Sequence, residues 1–205
     1  MSKIAIFSIN SRIGEHTISS QATLTDSAIM LSADATLLAA DAGTLSTRTD
    51  ADEGTISLST GHGITTADQV DLYWTGGARY NVTVGTVSGN SVPFSGGTGD
   101  DLPAEDAEIS VAKRTAITFT DSGDSISAFM AQCDQACRFA FMDASGEVSG
   151  AAFSVAAGQG VPWYSGIGYA NPVAGATLVK IEASTSAAAN ATFTVDILGD
   201  ASSED

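Results

Sequence analysis

Apolar and polar residues alternate along most of this chain in short runs, and glycine or asparagine stands at nearly every break. The pattern is clearest over residues 61–111. Val70, Leu72 and Trp74 occupy alternate positions, which places them on one face of a strand. Gly76-Gly77 turns the chain, and residues 79–87 alternate again, with Tyr80, Val82 and Val84 sharing a face. Ser88-Gly89-Asn90 makes a second turn, 91–94 a short return strand, and 109–112 closes the block. Strands and turns at a spacing of about 8–12 residues predict a small barrel or sandwich. Within the block lies an acidic loop, residues 96–108, with no lysine or arginine to neutralise it.

The flanks divide the chain further. Residues 4–9 read as a first strand. Residues 23–43 are ambiguous: Met30, Ala33 and Leu37 sit at helical spacing with Gly43 as a helix-ending glycine, while Thr23, Thr25 and nearby serines favour strand. The reading leans to two strands, or a strand and one helical turn. An acidic tip at residues 50–54 precedes an alternating strand at 55–59. Lys113-Arg114-Thr115 looks like a joint. Beyond it, seven short strands are expected at 116–120, 125–130, 138–142, 152–155, 163–166, 177–181 and 191–198, which fits an antiparallel jelly-roll or immunoglobulin-like sandwich. The predicted plan is all-β in two units: an N-terminal β domain at 1–113 containing the 61–111 block, a C-terminal sandwich at 114–199, and an acidic tail at 200–205.

Charge and composition narrow the partners. The 205 residues include 8 basic and 24 acidic side chains, a net charge of −16. Such a surface repels nucleic-acid phosphates and anionic lipid headgroups, so neither nucleic acid nor membrane is an expected partner. A hydrophobic content of 43% separates the chain from acidic disordered sequences. The apolar run at 4–9 is shorter than the roughly 7–15 residues of a signal peptide or the about 20 of a membrane span, so assembly in a cytoplasm is expected. The two cysteines, Cys133 and Cys137, read first as buried free thiols, then as a disulfide, and last as part of a metal site, since zinc takes about four ligands and His16 and His62 are distant.

Sequence features that resemble catalytic sites lack partners. Gly123-Asp124-Ser125 resembles the serine motif of GDS-type lipases, but that chemistry needs a histidine after the nucleophile and both histidines here precede it. His62, between two glycines, reads as a turn residue. No nucleophile elbow, phosphate loop or dinucleotide fingerprint occurs. The chain is therefore expected not to be an enzyme and to need no cofactor. Calcium is the one ion its oxygen-rich loops suit: Asp50, Asp52 and Glu53; Asp100 and Asp101 with Glu105 and Asp106; Asp121 and Asp124. None matches the EF-hand pattern, so Asp100, Asp101, Glu105 and Asp106 are read as a partner-facing or ion-facing loop. Trp163, Tyr164 and Tyr169 form a candidate aromatic platform for a glycan, with core packing as the competing role.

The β block, the bias to alanine, serine, threonine and glycine, and the acidic two-unit plan resemble structural proteins of tailed-phage particles, both capsid decoration (cement) proteins and tail or fibre proteins. The resemblance implies a non-catalytic β module, a trimer docking on the major capsid protein in the virion. Within that class a tail, collar or fibre component is the alternative, and a carbohydrate-binding or receptor-binding sandwich is the alternative outside it.

Overall fold

The computed structural model describes residues 4–13, 16–25, 28–119, 126–143, 145–164, 171, 174 and 179–200, the strands before Leu31 by backbone and register alone. The alternation becomes strand throughout the described residues, which contain no helix.

Eight strands build a sandwich: β3 (Ala28–Leu37), β11 (Thr115–Phe119), β12 (Ile126–Cys133), β13 (Cys137–Asp143), β14 (Gly146–Val155), β15 (Gly160–Tyr164), β16 (Val179–Thr185) and β17 (Ala191–Asp200). One sheet runs β3-β17-β12-β15 and the other β11-β16-β13-β14, all antiparallel. Counted one to eight along the chain, the sheets read 1-8-3-6 and 2-7-4-5, the strand order of a jelly roll. Phe129, Phe139, Phe141 and Phe193 are fully buried between the sheets. Phe129 meets Phe141 edge-on at 4.9 Å, and Phe139 stacks on Phe153 at 5.1 Å. Each such ring contributes about 1.5–3 kcal/mol by leaving water, which makes this aromatic layer the sandwich's main cohesion.

Six strands close a barrel: β4 (Asp41–Arg48), β5 (Glu53–Leu58), β6 (Gln69–Trp74), β7 (Gly77–Val84), β8 (Ser91–Ser95) and β10 (Glu108–Lys113). The order β6-β10-β4-β5-β8-β7 returns to β6 through the β6–β7 pairing, so no edge is left open. The short β9 (Thr98–Gly99) continues the line of β8 along β7. Leu45, Ile56, Val70, Leu72, Val82 and Val111 fill the interior.

The predicted division at residue 113 does not describe the units. β3 pairs with β17 over ten positions, from Ala28↔Asp200 to Leu37↔Ala191. The barrel at 41–113 is therefore inserted between the first and second strands of the jelly roll. Leu31, Ala33, Ala35 and Leu37 alternate with exposed Ser32, Asp34 and Thr36, as in any half-buried strand. Nothing in that pattern names a partner 164 residues away, where Ser32 Oγ donates to Asp196 Oδ1 at 2.6 Å. The same strand settles the ambiguity over residues 23–43 in favour of strand, with β4 following directly.

One side-chain assignment in the barrel is also corrected. A register shift between β6 and β7 sets Val82 opposite Val70 but Arg79 opposite Leu72, and Asn81 takes a left-handed φ of 55°. This bulge breaks the two-residue period. Arg79 turns inward with Leu72, and Tyr80 leaves the Val82–Val84 face to meet Tyr73 edge-on at 6.0 Å. Finally, β1 (Ile4–Ile13) and β2 (His16–Thr25) form a two-stranded ribbon of their own.

Candidate functional site

Two polar constellations stand out, one at the joint between the units and one at the end of the barrel. At the joint, β10 passes to β11 through the single residue Arg114, whose side chain is 1% exposed. Its guanidinium meets Asp71 at 3.6 Å, Glu147 at 3.4 Å and Glu182 at 3.2 Å. The Glu182 contact runs from Nε and lies off the hydrogen-bond line, so it is a charge contact. Arg138 pairs with Glu147 and lies over the Tyr80 ring at 4.0 Å, the position the bulge created. Lys180 closes the set on Glu182 at 2.7 Å. Three cations and three carboxylates balance, which is what burial of charge requires.

Asp71 belongs to the barrel and Ser184 to the jelly roll. Ser184 Oγ donates to Asp71 Oδ2 at 2.6 Å, and the Tyr73 hydroxyl lies 3.3 Å from Ser184 Oγ. With the serine proton committed to Asp71, the phenol is left to donate. Burial, with the Asp71 charge adding to it, pushes the Tyr73 phenol far above its ordinary range, so it stays protonated. Asp71 also accepts from the Asn81 backbone N–H at 2.8 Å, stapling the bulge. A serine beside a buried carboxylate resembles two parts of a hydrolytic triad. Here the carboxylate accepts from Ser184 of the jelly roll and the Asn81 N–H of the barrel and faces Arg114 at the joint, so it ties the two units together.

The acidic end of the barrel joins two clusters that the sequence shows apart. The loop carrying Asp50, Asp52 and Glu53 and the loop carrying Asp100, Asp101, Glu105 and Asp106 are bonded by Gly96 N to Asp52 O at 3.0 Å and Leu102 N to Ala51 O at 2.9 Å. Leu102 is 4% exposed and packs into the barrel core, while Asp101, Glu105 and Asp106 are exposed. Asp50 Oδ1 accepts the N–H groups of Asp52 and Glu53 at 2.9 and 2.8 Å, which holds its carboxyl below the ordinary range.

Arg79 organises this end. Its guanidinium donates to the carbonyls of Gly96 at 2.6 Å, Asp100 at 3.0 Å and Gly97 at 3.2 Å, and pairs with Asp52 at 3.3 Å. Converging carbonyls and a carboxylate are calcium-type ligands. The arginine occupies them with a single charge and a fixed fork. Asp100 is further committed through Oδ2 to the Ala78 N–H at 3.0 Å. Among the described residues no group of three or more histidine, cysteine or acidic side chains is placed to hold a metal ion. Asp121 and Asp124 lie outside the described residues.

Elsewhere the candidates separate. His62 accepts from Ile64 N through Nδ1 at 3.0 Å and approaches Gly89 O through Nε2 at 3.2 Å, so it braces two turns. Trp163 is 7% exposed and stacks on Phe129 at 5.9 Å, which takes it out of a sugar-facing platform. The Tyr164 side chain and Tyr169 lie outside the description. An open groove of about 660 Å³ runs instead on the barrel beside Tyr73, Trp74, Thr44, Glu108 and Ser110. Cys133 and Cys137 are buried free thiols, and burial with the neighbouring Cys133 raises Cys137 well above the ordinary thiol range. Sequence reasoning missed Asp71, Arg114, Arg138, Glu147 and Glu182 as the set at the joint and Arg79 as the organiser of the barrel end. The one signal available was arginine on otherwise apolar strands of an acid-rich chain.

Six of the eight basic residues have described side chains, and each is engaged internally. Arg48 donates to Leu102 O at 3.2 Å, Lys113 pairs with Asp68 at 2.7 Å, and Arg79, Arg114, Arg138 and Lys180 act as above. Arg48 and Lys180 still reach solvent, but paired, so the charge left unpaired on the surface of these units is predominantly acidic. The chain matches no protein-family model, no curated protein and no solved structure.

Proposed function

We propose that this chain is a non-enzymatic structural subunit of a virion, one that decorates and stabilises a capsid shell. The observation that carries the reading is the pair of sheets ordered 1-8-3-6 and 2-7-4-5, a jelly roll with a barrel inserted in its first connection. Jelly rolls serve capsids and lectins among other roles, and the step from fold to role is made by analogy. The chemistry of the molecule agrees with it. Buried polar groups are committed to the joint and to the barrel cap, and an acidic exterior repels packaged DNA while remaining open to a basic patch on a shell. The test mixes the purified protein with undecorated shells. Co-sedimentation and a higher shell-disruption temperature are expected; a protein that neither binds nor protects ends the cement reading. A tail, collar or fibre role within the same class is separated by the symmetry of its position in an assembled particle.

The barrel groove favours a second reading, a glycan-binding module. Trp74 supplies an aromatic wall and Thr44, Ser110 and Glu108 supply hydrogen-bonding groups. Glycan-array binding that is lost in Trp74→Ala supports it, and an array without signal removes it.

A further inference from the structure

β1 and β2 pair over ten positions, from Ile4↔Thr25 to Ile13↔His16, and among the described residues the ribbon joins no other sheet. A lone two-stranded hairpin is marginal in water; it needs a third strand or an apolar cover. Residues opposite one another in an antiparallel pair share a face, so the register sorts the ribbon into two sets. One set holds Ala5, Phe7, Ile9, Ile13, Ile18 and Leu24, with Ser11, His16, Ser20 and Ala22. The other holds Ser8, Asn10, Arg12, Thr17, Ser19 and Gln21, with Ile4, Ile6, Thr23 and Thr25. By register the ribbon is amphipathic, with most of its apolar residues in one set.

Its charge differs from that of the body. Through residue 25 the chain carries Lys3 and Arg12 against Glu15 alone, whereas the rest carries 6 basic and 23 acidic residues. The first segment is thus net positive, and the acidic body of another copy attracts it. The geometry points to β1–β2 as a self-association arm, whose apolar register face packs on a second copy of this chain. Area makes the exchange reciprocal. With a rise of about 3.3 Å per residue and strands about 4.8 Å apart, ten pairs present roughly 300 Å² on one face. A stable interface takes about 800 Å² per partner, which one donated face does not reach. One arm given and one received supply about 600 Å² per copy, and the bodies they draw together supply the remainder. The inference gives a surface to the self-association implied by the virion reading, but it requires no shell.

The test is the native mass of the full chain, measured by sedimentation equilibrium without shells. Wild type is expected as a closed oligomer and Phe7→Asp/Ile9→Asp as a folded monomer with the wild-type circular-dichroism spectrum, its Tm no longer dependent on protein concentration. Ser19→Thr/Gln21→Thr, a charge-neutral change on the polar set of positions, is expected to retain the oligomer. A monomeric wild type overturns the inference, as does an apolar-face variant that keeps the wild-type mass. Should that variant fail to fold, wild-type copies with heavy and light isotopes are mixed and cross-linked. Heavy–light links from the arm are expected, and arm links confined to one copy overturn the inference. Shell binding enters neither measurement, so this inference and the virion reading can fail separately.

Discussion

Arg114→Met tests whether the ionic cluster holds the two units together. Methionine keeps much of the stem volume and removes the guanidinium. Glu147 retains Arg138 and Glu182 retains Lys180. Asp71, 1% exposed, retains only neutral donors, Ser184 Oγ and Asn81 N. Breaking a buried ion pair from one side costs about 3–5 kcal/mol, and with two of three carboxylates still paired the lower end, about 3 kcal/mol, is expected. For a chain of this size each kcal/mol moves Tm by about 2–4 °C, so a fall of about 6–12 °C follows. Thermal and urea unfolding, followed by circular dichroism, measure it. Adding Asp71→Asn neutralises the stranded charge and is expected to restore about 1–2 kcal/mol, because the two sites share one contact. The control is the neighbouring Lys113→Met, which breaks a partly exposed pair and costs under about 1 kcal/mol. If Arg114→Met proves as stable as wild type, the charges do not hold the joint and its apolar contacts do.

Three further outcomes follow from the geometry. Burial lifts the Asp41 carboxyl above its ordinary range, with His62 partly offsetting it, so the folded state favours the protonated form. Asp41→Asn should therefore raise the unfolding free energy at neutral pH, by less than about 1 kcal/mol after solvent screening, and the gain should vanish as pH falls below the unfolded value near about 3.9. Arg79→Ala strands the carbonyls of Gly96, Gly97 and Asp100 and is expected to cost about 2–4 kcal/mol, with hydrogen exchange rising first over residues 96–107; protection equal to wild type there would show that the loop is held by Leu102 instead. The buried thiols should stay silent to a disulfide reagent in the native protein and titrate as two per chain after unfolding, and rapid native labelling would contradict their placement.

The strands were legible because a half-buried strand writes its period into local sequence. All seven strands expected after residue 115 form, at boundaries displaced by a few residues, and so does the 61–111 block. Connectivity was not legible. The alternation of β3 is complete without its partner, and the pairing that makes it a jelly-roll strand depends on residues 191–200. The bulge escaped for another reason: Asn81 tolerates a left-handed backbone, and a single residue of that kind reverses the faces of Arg79 and Tyr80. That reversal then creates both the barrel cap and the Tyr80 seat for Arg138. The acidic loop was visible as composition, while its rigidity was not, because the arginine that orders it lies 17 residues before Gly96.

Insertion of the barrel between jelly-roll strands sets an order of events during synthesis. The barrel draws all its strands from residues 41–113 and can close as soon as they leave the ribosome. β3 emerges earlier yet finds its ladder partner only when β17, the last of the described strands, is made. Over that interval its ten-residue edge stands open to any other nascent copy, the condition under which strands pair wrongly. An early-folding barrel just downstream anchors β3 at one end and limits its search, so the insertion acts as a timing device for closing the sandwich.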